Sequence, residues 1–231
     1  MSTFAASPPH YLPGIDFFYK MSRAQQFVIA DDLIYRDKGR VNRTLIKNAS
    51  GMQWLTVPVR HRRSERQWIR DVRIDTSRHW GQKHRKTLEV NYRYSPYFEY
   101  YVDAFAKIYE REWRYLLDLD LALIGLIRKA LAITVPLQRS SSLDLAEGAS
   151  EKIIDLAGKI GAGRYLASPE DANFLDPSRF QEAGVGLVYS DFHPRPYRQQ
   201  FGDFMPGLSI VDLLFNEGPE AKWILLESEK E

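Results

Sequence analysis

The sequence predicts an α/β protein in which a mostly parallel, Rossmann-like sheet is flanked by helices and carries a helical insertion. Short apolar runs typical of strands alternate with runs of helical spacing at the start of the chain and again after residue 133. One long helical stretch, at about residues 97–132, interrupts that alternation. We therefore expect a single domain over residues 1–231 that contains this insertion.

The first three predicted elements form the minimal unit of a parallel sheet. Residues 2–7 predict a strand, and the three prolines that follow exclude a helix there because each fixes φ. Apolar residues at helical spacing predict a helix over 15–23, and residues 26–32 predict a buried strand. Asp31 and Asp32 would then lie at a carboxyl strand end, where open α/β sheets bind ligands. Adjacent strand residues point to opposite faces, so at most one of the two is expected to face a site.

The later elements follow from the same change between a period of two and a period of 3.6 residues. In chain order they are strands over 53–59 and 69–75 with a polar hairpin loop at 60–67, a helix capped by Ser77 and running toward Asn91, two helices within 97–132 separated near Trp113, a strand over 133–139, a helix over 150–160, a strand over 164–167, a helix over 177–183, a strand over 185–191, and a helix that begins after Ser209 and ends at Gly218.

Composition limits the location and the chemistry. The chain has no cysteine, which excludes disulfides, thiolate metal sites and a cysteine nucleophile, and which fits a reducing compartment. Its apolar stretches fall short of the roughly 20 residues that cross a bilayer, and its first residues lack the pattern of a secretory signal. We expect a cytoplasmic protein without membrane insertion.

Positive charge is concentrated in one segment. Residues 36–86 contain 15 Lys or Arg against 4 Asp or Glu, although the formal net charge of the chain is only +2. Such a segment attracts phosphate, carboxylate or nucleic acid, and a solvated surface is the alternative. Neither the dinucleotide-binding glycine pattern nor a P-loop is present. The predicted substrate- or phosphate-binding residues are Asp32, Tyr35, Asn42, Arg43, Lys47, Lys83, Asn91, Arg139 and Ser141.

Three histidines are candidates for acid–base chemistry because the ordinary pKa of imidazole lies near neutrality. His10 lies in the loop after the first strand, and His193 follows Asp191 at the end of a late strand. His84 is spaced to share a helix face with Asn91. The spacing of the His, Asp and Glu residues in the sequence does not indicate a metal site. The predicted catalytic residues are His10, His84, Asp191 and His193.

Taken in order, the motifs resemble those of the WbqC-like family of bacterial proteins, from about residue 7 to residue 218. The residues that carry the resemblance are Tyr11-Leu12-Pro13, Phe18-Tyr19-Lys20, Asp31-Asp32, Tyr35, Asn42-Arg43, Ile46-Lys47, Trp54-Leu55-Thr56-Val57-Pro58-Val59, Ile69, Val72, Asp75, Trp80, Lys83-His84, Asn91-Tyr92, Pro96-Tyr97-Phe98, Arg139-Ser140-Ser141, Ala183-Gly184, Asp191-Phe192-His193-Pro194, Tyr197, Leu208-Ser209-Ile210 and Asp212-Leu213-Leu214-Phe215-Asn216. The family opening begins with a histidine where this chain has Ser7, and His10 stands where the family commonly has asparagine.

The resemblance implies a transferase that modifies a nucleotide-linked sugar, or another phosphorylated carrier, in O-antigen-like surface-polysaccharide or related biosynthesis. Mg²⁺ is the cofactor considered, as the companion of a nucleotide, and the oligomeric state is left open. One alternative is a catalytically diverged ligand-binding or scaffold protein, because the first family histidine is replaced. A second alternative is RNA binding through the 60–66 loop and the helix that carries Lys83, although nucleic acid is the less favoured partner.

Overall fold

The computed structural model describes residues 1–61 and 66–227. The strands are β1 (Thr3–Ser7), β2 (Gln26–Ile29), β3 (Arg43–Asn48), β4 (Gly51–Thr56), β5 (Val59–Arg60), β6 (Arg73–Ile74), β7 (Leu137–Arg139), β8 (Arg164–Ala167) and β9 (Gly186–Tyr189). The α-helices are α1 (Ile15–Ser22), α2 (Trp80–Tyr92), α3 (Phe98–Tyr109), α4 (Leu116–Ala130), α5 (Ala149–Lys159), α6 (Pro177–Glu182), α7 (Ile210–Glu217) and α8 (Ala221–Leu226).

Five parallel strands form the central sheet in the order β7-β2-β1-β8-β9. The predicted α/β, Rossmann-like fold is therefore confirmed. β1 lies at the centre, and the chain first builds the sheet toward β7 and then returns to add β8 and β9 on the other side. The remaining four strands form two antiparallel pairs, β3 with β4 and β5 with β6.

Both faces of the sheet are covered because successive strand residues point to opposite sides. On β1, Phe4 and Ala6 pack in a cluster with side chains of α5 and α6, including Leu156 and Phe180. Ala5 points the other way, into a larger cluster that contains α1, α4, α7 and α8. The sheet is thus the middle layer of three, and loops border the carboxyl ends of its strands.

The helical segment predicted at 97–132 contains α3 and α4. The gap between Tyr109 and Leu116 includes Trp113, so the predicted break is where the sequence placed it. The helix after Ser209 is also confirmed, because the Ser209 hydroxyl accepts a hydrogen bond from the Val211 N–H and Gly218 ends the helix. Asp212 and Asn216 on that helix are buried.

Several predicted elements differ from the structure. Residues 43–48 form β3 although their polarity argued against a core position, and Ile46 and Lys47 on this strand are fully buried. Residues 69–75 form a 3₁₀ turn followed by the two-residue β6 rather than one strand. Ser77 does not cap α2, because the Asp75 carboxylate caps a 3₁₀ turn there and α2 begins after His79.

The ends of other strands also shift. The strand predicted at 133–139 is shortened to β7, and the one predicted at 185–191 ends at Tyr189. The predicted hairpin loop at 60–67 separates β5 from β6, but its residues 62–65 lie outside the described residues.

Candidate functional site

A cleft opens where the sheet changes its direction of growth. β1 and β8 are neighbours, but the loops that leave their carboxyl ends lead to opposite sides of the sheet. Open α/β sheets bind ligands in the crevice at such a switch point. Two adjoining cavities lie there, and both are lined by Ala6, Ser7, Pro8 and Asp171. We call them the His10 lobe, of about 400 Å³, and the Trp68 lobe, of about 820 Å³.

The His10 lobe extends from the end of β1 to the ends of β8 and β9. Its lining consists of Ala6, Ser7, Pro8, His10, Asp16, Phe17, Lys20, Arg40, Ser168, Pro169, Glu170, Asp171, Ser190 and Phe192. The first turn of α1 contributes to this wall. Free backbone N–H groups at a helix start favour a negative ligand.

Lys20 is the buried cation of the His10 lobe. Its side chain is only 4% exposed, and Nζ donates to the backbone oxygen of Ala6 and to Ser168 Oγ, both at 2.8 Å. Burial lowers the pKa of Lys20, while the nearby carboxylates of Asp171 and Asp16 act in the opposite direction. An ammonium group has three donors, and these acceptors use two, so one remains for a ligand in the lobe.

The loop that carries His10 is held by backbone and hydroxyl contacts. The Tyr11 N–H donates to the oxygens of Arg40 and Val41. Leu12 has φ of 43°, which is strained for a bulky side chain. Its carbonyl oxygen accepts hydrogen bonds from Thr44 Oγ1 at 2.8 Å and Ser209 Oγ at 2.9 Å. These buried contacts hold the strained loop in one conformation and bring Arg40 beside His10.

His10 is neutral at physiological pH. Burial, followed by the positive charges of Arg40 and Lys20, lowers its pKa to about 3. Its ring lies 5.5 Å from the ring of Phe17. A neutral imidazole beside two cations can donate an N–H to an anionic oxygen, but it is a weak base. Asp16 and Glu170 are exposed at the rim, whereas Lys20 is buried at the base of the lobe.

The Trp68 lobe is the larger and more apolar cavity. It is lined by Ala6, Ser7, Pro8, Ala30, Asp32, Leu33, Ile34, Arg66, Trp68, Glu147, Gly148, Ala149, Lys152, Ile153, Tyr165, Asp171, Phe174 and Leu175. Asp32 is the polar residue that the end of β2 supplies to this lobe. Its carboxylate accepts from Lys152 Nζ at 2.8 Å and from Ser140 Oγ.

Asp31 and Asp32 both receive contacts from the end of β7, but of the two only Asp32 lines the cleft. Asp31 is fully buried, and its carboxylate accepts from Arg139 Nε and Ser141 Oγ at 2.7 Å and from the Ser141 N–H at 2.9 Å. These hydrogen bonds and the charge of Arg139 lower the pKa of Asp31 although desolvation opposes them. Arg139 and Ser141, predicted to hold phosphate, therefore hold a buried carboxylate of the protein.

Most of the predicted phosphate-binding residues between positions 35 and 47 contact other parts of the protein. Lys47 is fully buried, and Nζ donates to Gln199 Oε1 at 3.2 Å and to the backbone oxygens of Gly202 and Asp203. Asn42 is also buried and donates to the Val57 oxygen at 3.0 Å. Such contacts favour structural roles for both residues.

Arg43 and Tyr35 also contact other residues of the protein. The Arg43 guanidinium lies 4.1 Å from the centre of the Trp54 ring, and its Nε donates to the Gly39 oxygen. Tyr35 is buried against the ring of His61, and burial raises its pKa to about 12. A role for these two residues in binding phosphate stays a prediction that the contacts do not favour.

His84 lies in an aromatic network away from the cleft lining. Its Nδ1 is 2.7 Å from the Tyr11 hydroxyl, which also lies 2.6 Å from the Tyr109 hydroxyl. Burial lowers the pKa of His84 to about 4, against the effect of a hydrogen bond to the Thr56 backbone. Asn91 instead donates to the Thr87 oxygen on its own helix, and Lys83 is exposed.

Asp191 and His193 form an exposed pair beyond β9. The distance from His193 Nε2 to Asp191 Oδ1 is 2.9 Å, and both side chains are more than half exposed. The strand has already ended at Tyr189, so a loop rather than strand alternation brings the two together. Their neighbour Phe192 lines the His10 lobe. A catalytic role for the pair stays a prediction.

Sequence reasoning placed His10 and Asp32 in the cleft but assigned no role to Lys20, Lys152 or Ser168. One signal for Lys20 was available. Phe17 lies three residues before it and Met21 directly after it, so a lysine at this position falls within the apolar stripe of the helix. A charge on such a stripe needs internal partners, which indicates a site.

Comparison with known proteins agrees with the family resemblance of these motifs. The model of the WbqC-like protein family matches residues 8–224. The chain belongs to the WbqC-like family. It is also 33% identical over 223 residues to an uncharacterized protein of Mycobacterium tuberculosis (strain ATCC 25618 / H37Rv), Rv1507c, and the alignment covers 96% of each chain. No solved structure matches this WbqC-like protein. In residues 1–61 and 66–227, no helix is long and apolar enough to cross a membrane.

Proposed function

We propose that this WbqC-like protein is a transferase that modifies a phosphorylated carrier, with a nucleotide-linked sugar as the leading candidate, in surface-polysaccharide or related glycan biosynthesis. The observation that supports the proposal is the position of Lys20, a buried ammonium at the switch point of a parallel sheet. A buried cation is costly unless hydrogen-bond acceptors or opposite charges compensate for its lost hydration, and the Ala6 and Ser168 acceptors of Lys20 leave one donor that a ligand can use.

In this proposal Lys20 and Arg40 bind phosphate oxygens in the His10 lobe. His10, which is neutral, donates an N–H to the same group rather than acting as a strong base. The start of α1 adds its backbone dipoles in the same region. Positioning and charge stabilisation of this kind account for much of the catalysis of phosphate-group chemistry.

The residues of the His10 lobe also fit a magnesium ion bound together with the ligand. Mg²⁺ is usually held by one or two carboxylates and by substrate phosphates rather than by a protein cage. Asp16 and Glu170 are carboxylates of the lobe rim. In the described parts of the chain no three His, Asp or Glu residues are grouped to hold a metal ion alone. The ion would neutralise phosphate charge.

A thermal-shift and calorimetric screen tests the proposal. The probes are pyrophosphate and a panel of nucleotide-sugars, each with and without Mg²⁺. We expect at least one to raise the melting temperature of the wild-type protein, because a ligand that binds only the folded state stabilises it. Lys20→Met should abolish the shift, and the less buried Arg40→Gln should weaken binding at least tenfold. Lys107→Met, on the exposed face of α3, is the control and should bind normally.

The alternatives predict different results. If none of these compounds stabilises the wild type, the transferase proposal fails. Binding without transfer of the sugar to any acceptor would select the ligand-binding or scaffold alternative. Salt-sensitive RNA binding that Lys83→Met weakens, with no response to nucleotide-sugars, would select the RNA alternative.

A further inference from the structure

The Trp68 lobe adjoins the proposed phosphate site but differs from it in chemistry. It is about twice as large, and most of its lining is apolar or aromatic. The Trp68 side chain is 42% exposed although its neighbour Ile69 is buried, and Phe174 is 67% exposed. Large apolar cavities with a few polar groups are typical of ligand sites. This lobe therefore needs an occupant with a flat or apolar body.

Backbone contacts fix Trp68 at the wall of the lobe. Ile34 and Trp68 form an antiparallel bridge, and the Ile69 N–H donates to the Leu33 oxygen at 2.9 Å. The Arg70 guanidinium lies 5.4 Å from the centre of the Trp68 ring. An indole held in place and still partly exposed is a preformed surface for stacking, and stacking of a base on an aromatic side chain contributes substantially to nucleotide binding.

Asp32 provides a polar contact in the same lobe. It follows β2, the strand next to β1, and its carboxylate is 13% exposed in contact with Lys152. In doubly wound sheets, an acidic residue that follows the second strand of the unit is placed to accept hydrogen bonds from ribose hydroxyls. Ser7 and Pro8 line both lobes, so a path leads from this position to Lys20 past the end of β1.

We propose that the Trp68 lobe binds the nucleoside of a nucleoside diphosphate carrier. The base lies against Trp68, the ribose hydroxyls face Asp32, and the diphosphate extends into the His10 lobe toward Lys20. This inference rests on the proposed function for its phosphate subsite, but it names the carrier and assigns a site to each part.

Calorimetric titration separates the two lobes. The probes are pyrophosphate, the diphosphates ADP, GDP, CDP and UDP, and the matching free nucleosides. We expect one nucleoside diphosphate to bind the wild type at least tenfold more tightly than pyrophosphate does. Trp68→Ala should reduce that advantage to less than twofold while pyrophosphate affinity stays the same, and Trp68→Phe should keep most of it. The control is Trp223→Ala, an exposed tryptophan on α8, which should match the wild type.

The role of Asp32 is tested by comparing a ribonucleoside diphosphate with an analogue that lacks the ribose hydroxyls. We expect the wild type to prefer the ribonucleoside diphosphate over its 2′,3′-dideoxy analogue by about tenfold, and Asp32→Asn to lose that preference without a change in pyrophosphate binding. The amide keeps the size of the side chain, and the melting temperature reports whether the contact with Lys152 was needed for folding. A preference that persists in Asp32→Asn would overturn the assignment of the ribose.

The outcomes distinguish this inference from the proposed function. If pyrophosphate binds but no nucleoside diphosphate binds more tightly, the nucleoside subsite is wrong and the phosphate site stands. If nucleosides bind through Trp68 but pyrophosphate does not bind, the phosphate site is wrong. An alkyl phosphate that binds more tightly than every nucleoside diphosphate would show that the lobe takes an apolar chain, which also overturns the inference.

Discussion

The Lys20 ammonium donates a hydrogen bond to Ser168 Oγ at 2.8 Å, and this contact joins the helix after β1 to the end of β8. The two residues lie on opposite sides of the switch point, and they are 148 positions apart in sequence. The same ammonium donates to the oxygen of Ala6 on β1. Lys20 therefore stabilises the cleft as well as providing its buried charge.

Ser168→Ala should weaken both phosphate binding and the fold. Without the hydroxyl, Lys20 loses one of its acceptors, and we expect pyrophosphate affinity to fall severalfold and the free energy of unfolding to fall by about 1 kcal/mol. Calorimetry and urea unfolding measure the two effects. Ser22→Ala, which removes a hydroxyl that donates to the Tyr19 oxygen, is the control and should leave binding unchanged. Equal binding by the two variants would contradict the role of Ser168.

His84 should make the protein less stable in acid. Its pKa falls from 6.5 in the unfolded chain to about 4 in the folded protein because it is buried. Below pH 6.5 the unfolded chain therefore takes up a proton that the folded protein does not, and stability is lost as the pH falls toward 4. The loss from this residue is about 3 kcal/mol. Urea unfolding at several pH values should show that the free energy of unfolding depends less on pH in His84→Gln than in the wild type. An unchanged dependence would contradict the lowered pKa of His84.

Asp120 should be a residue whose replacement stabilises the protein. It is fully buried on α4, neither carboxyl oxygen has a hydrogen-bond partner among the described residues, and burial raises its pKa well above the ordinary range. We expect Asp120→Leu to increase the free energy of unfolding at neutral pH by about 1 to 3 kcal/mol. The gain should shrink toward pH 4, because the unfolded chain is then also protonated at Asp120 and folding no longer requires the uptake of a proton. Destabilisation instead would indicate a bound partner for this carboxyl.

Asp31 should matter more to stability than the arginine that it binds. Asp31→Ala leaves Arg139 and Ser141 without their acceptor, and we expect a loss of about 3 kcal/mol or more. Arg139→Ala should cost less, about 1 kcal/mol, because the arginine side chain is 44% exposed. Paired urea titrations measure the difference. A larger effect of Arg139→Ala would argue against this ranking.

Arg43→Ala should affect the fold and not the ligand. The guanidinium covers the Trp54 ring at 4.1 Å, so its removal should cost about 0.5 to 1 kcal/mol of stability. Because neither Arg43 nor its partners Trp54 and Gly39 line the His10 lobe, pyrophosphate affinity should stay at the wild-type value. A tenfold loss of affinity would restore Arg43 as a phosphate-binding residue, as its charge and family position predicted.

The parts of the fold that could be predicted are those whose signals are local. The β1-α1-β2 unit and the break before α4 follow from spacing and proline positions within short windows. β3 was missed because Arg43, Lys47 and Asn48 make it polar, and its burial depends on partners such as Gln199, which is 152 residues away from Lys47. Propensity cannot anticipate a buried lysine whose acceptors come from a distant loop.

The places of the candidate site residues in the fold were predictable from the sequence, but the residues that they contact were not. Residues after parallel strands were favoured as site residues, and His10 and Asp32 line the cleft. Strand order determines which residues meet in the cleft, because only the adjacency of β1 and β8 brings Ser168 to Lys20. Charge density does not show which cations are available to a ligand, since several cations of the basic segment contact internal carbonyls or rings.

The pairing of β1 with β8 has a consequence for how the chain acquires its structure during synthesis. Thr3 pairs with Arg164, and Phe27 pairs with Leu137, so the middle of the sheet joins segments made far apart in time. Such long-range pairings are slow to form, and the unpaired edge of β1 is exposed until they do. While the ribosome is still producing residues 30–136, β1 and β2 can pair only with each other. The proposed ligand cleft is then among the last parts of the molecule to be completed.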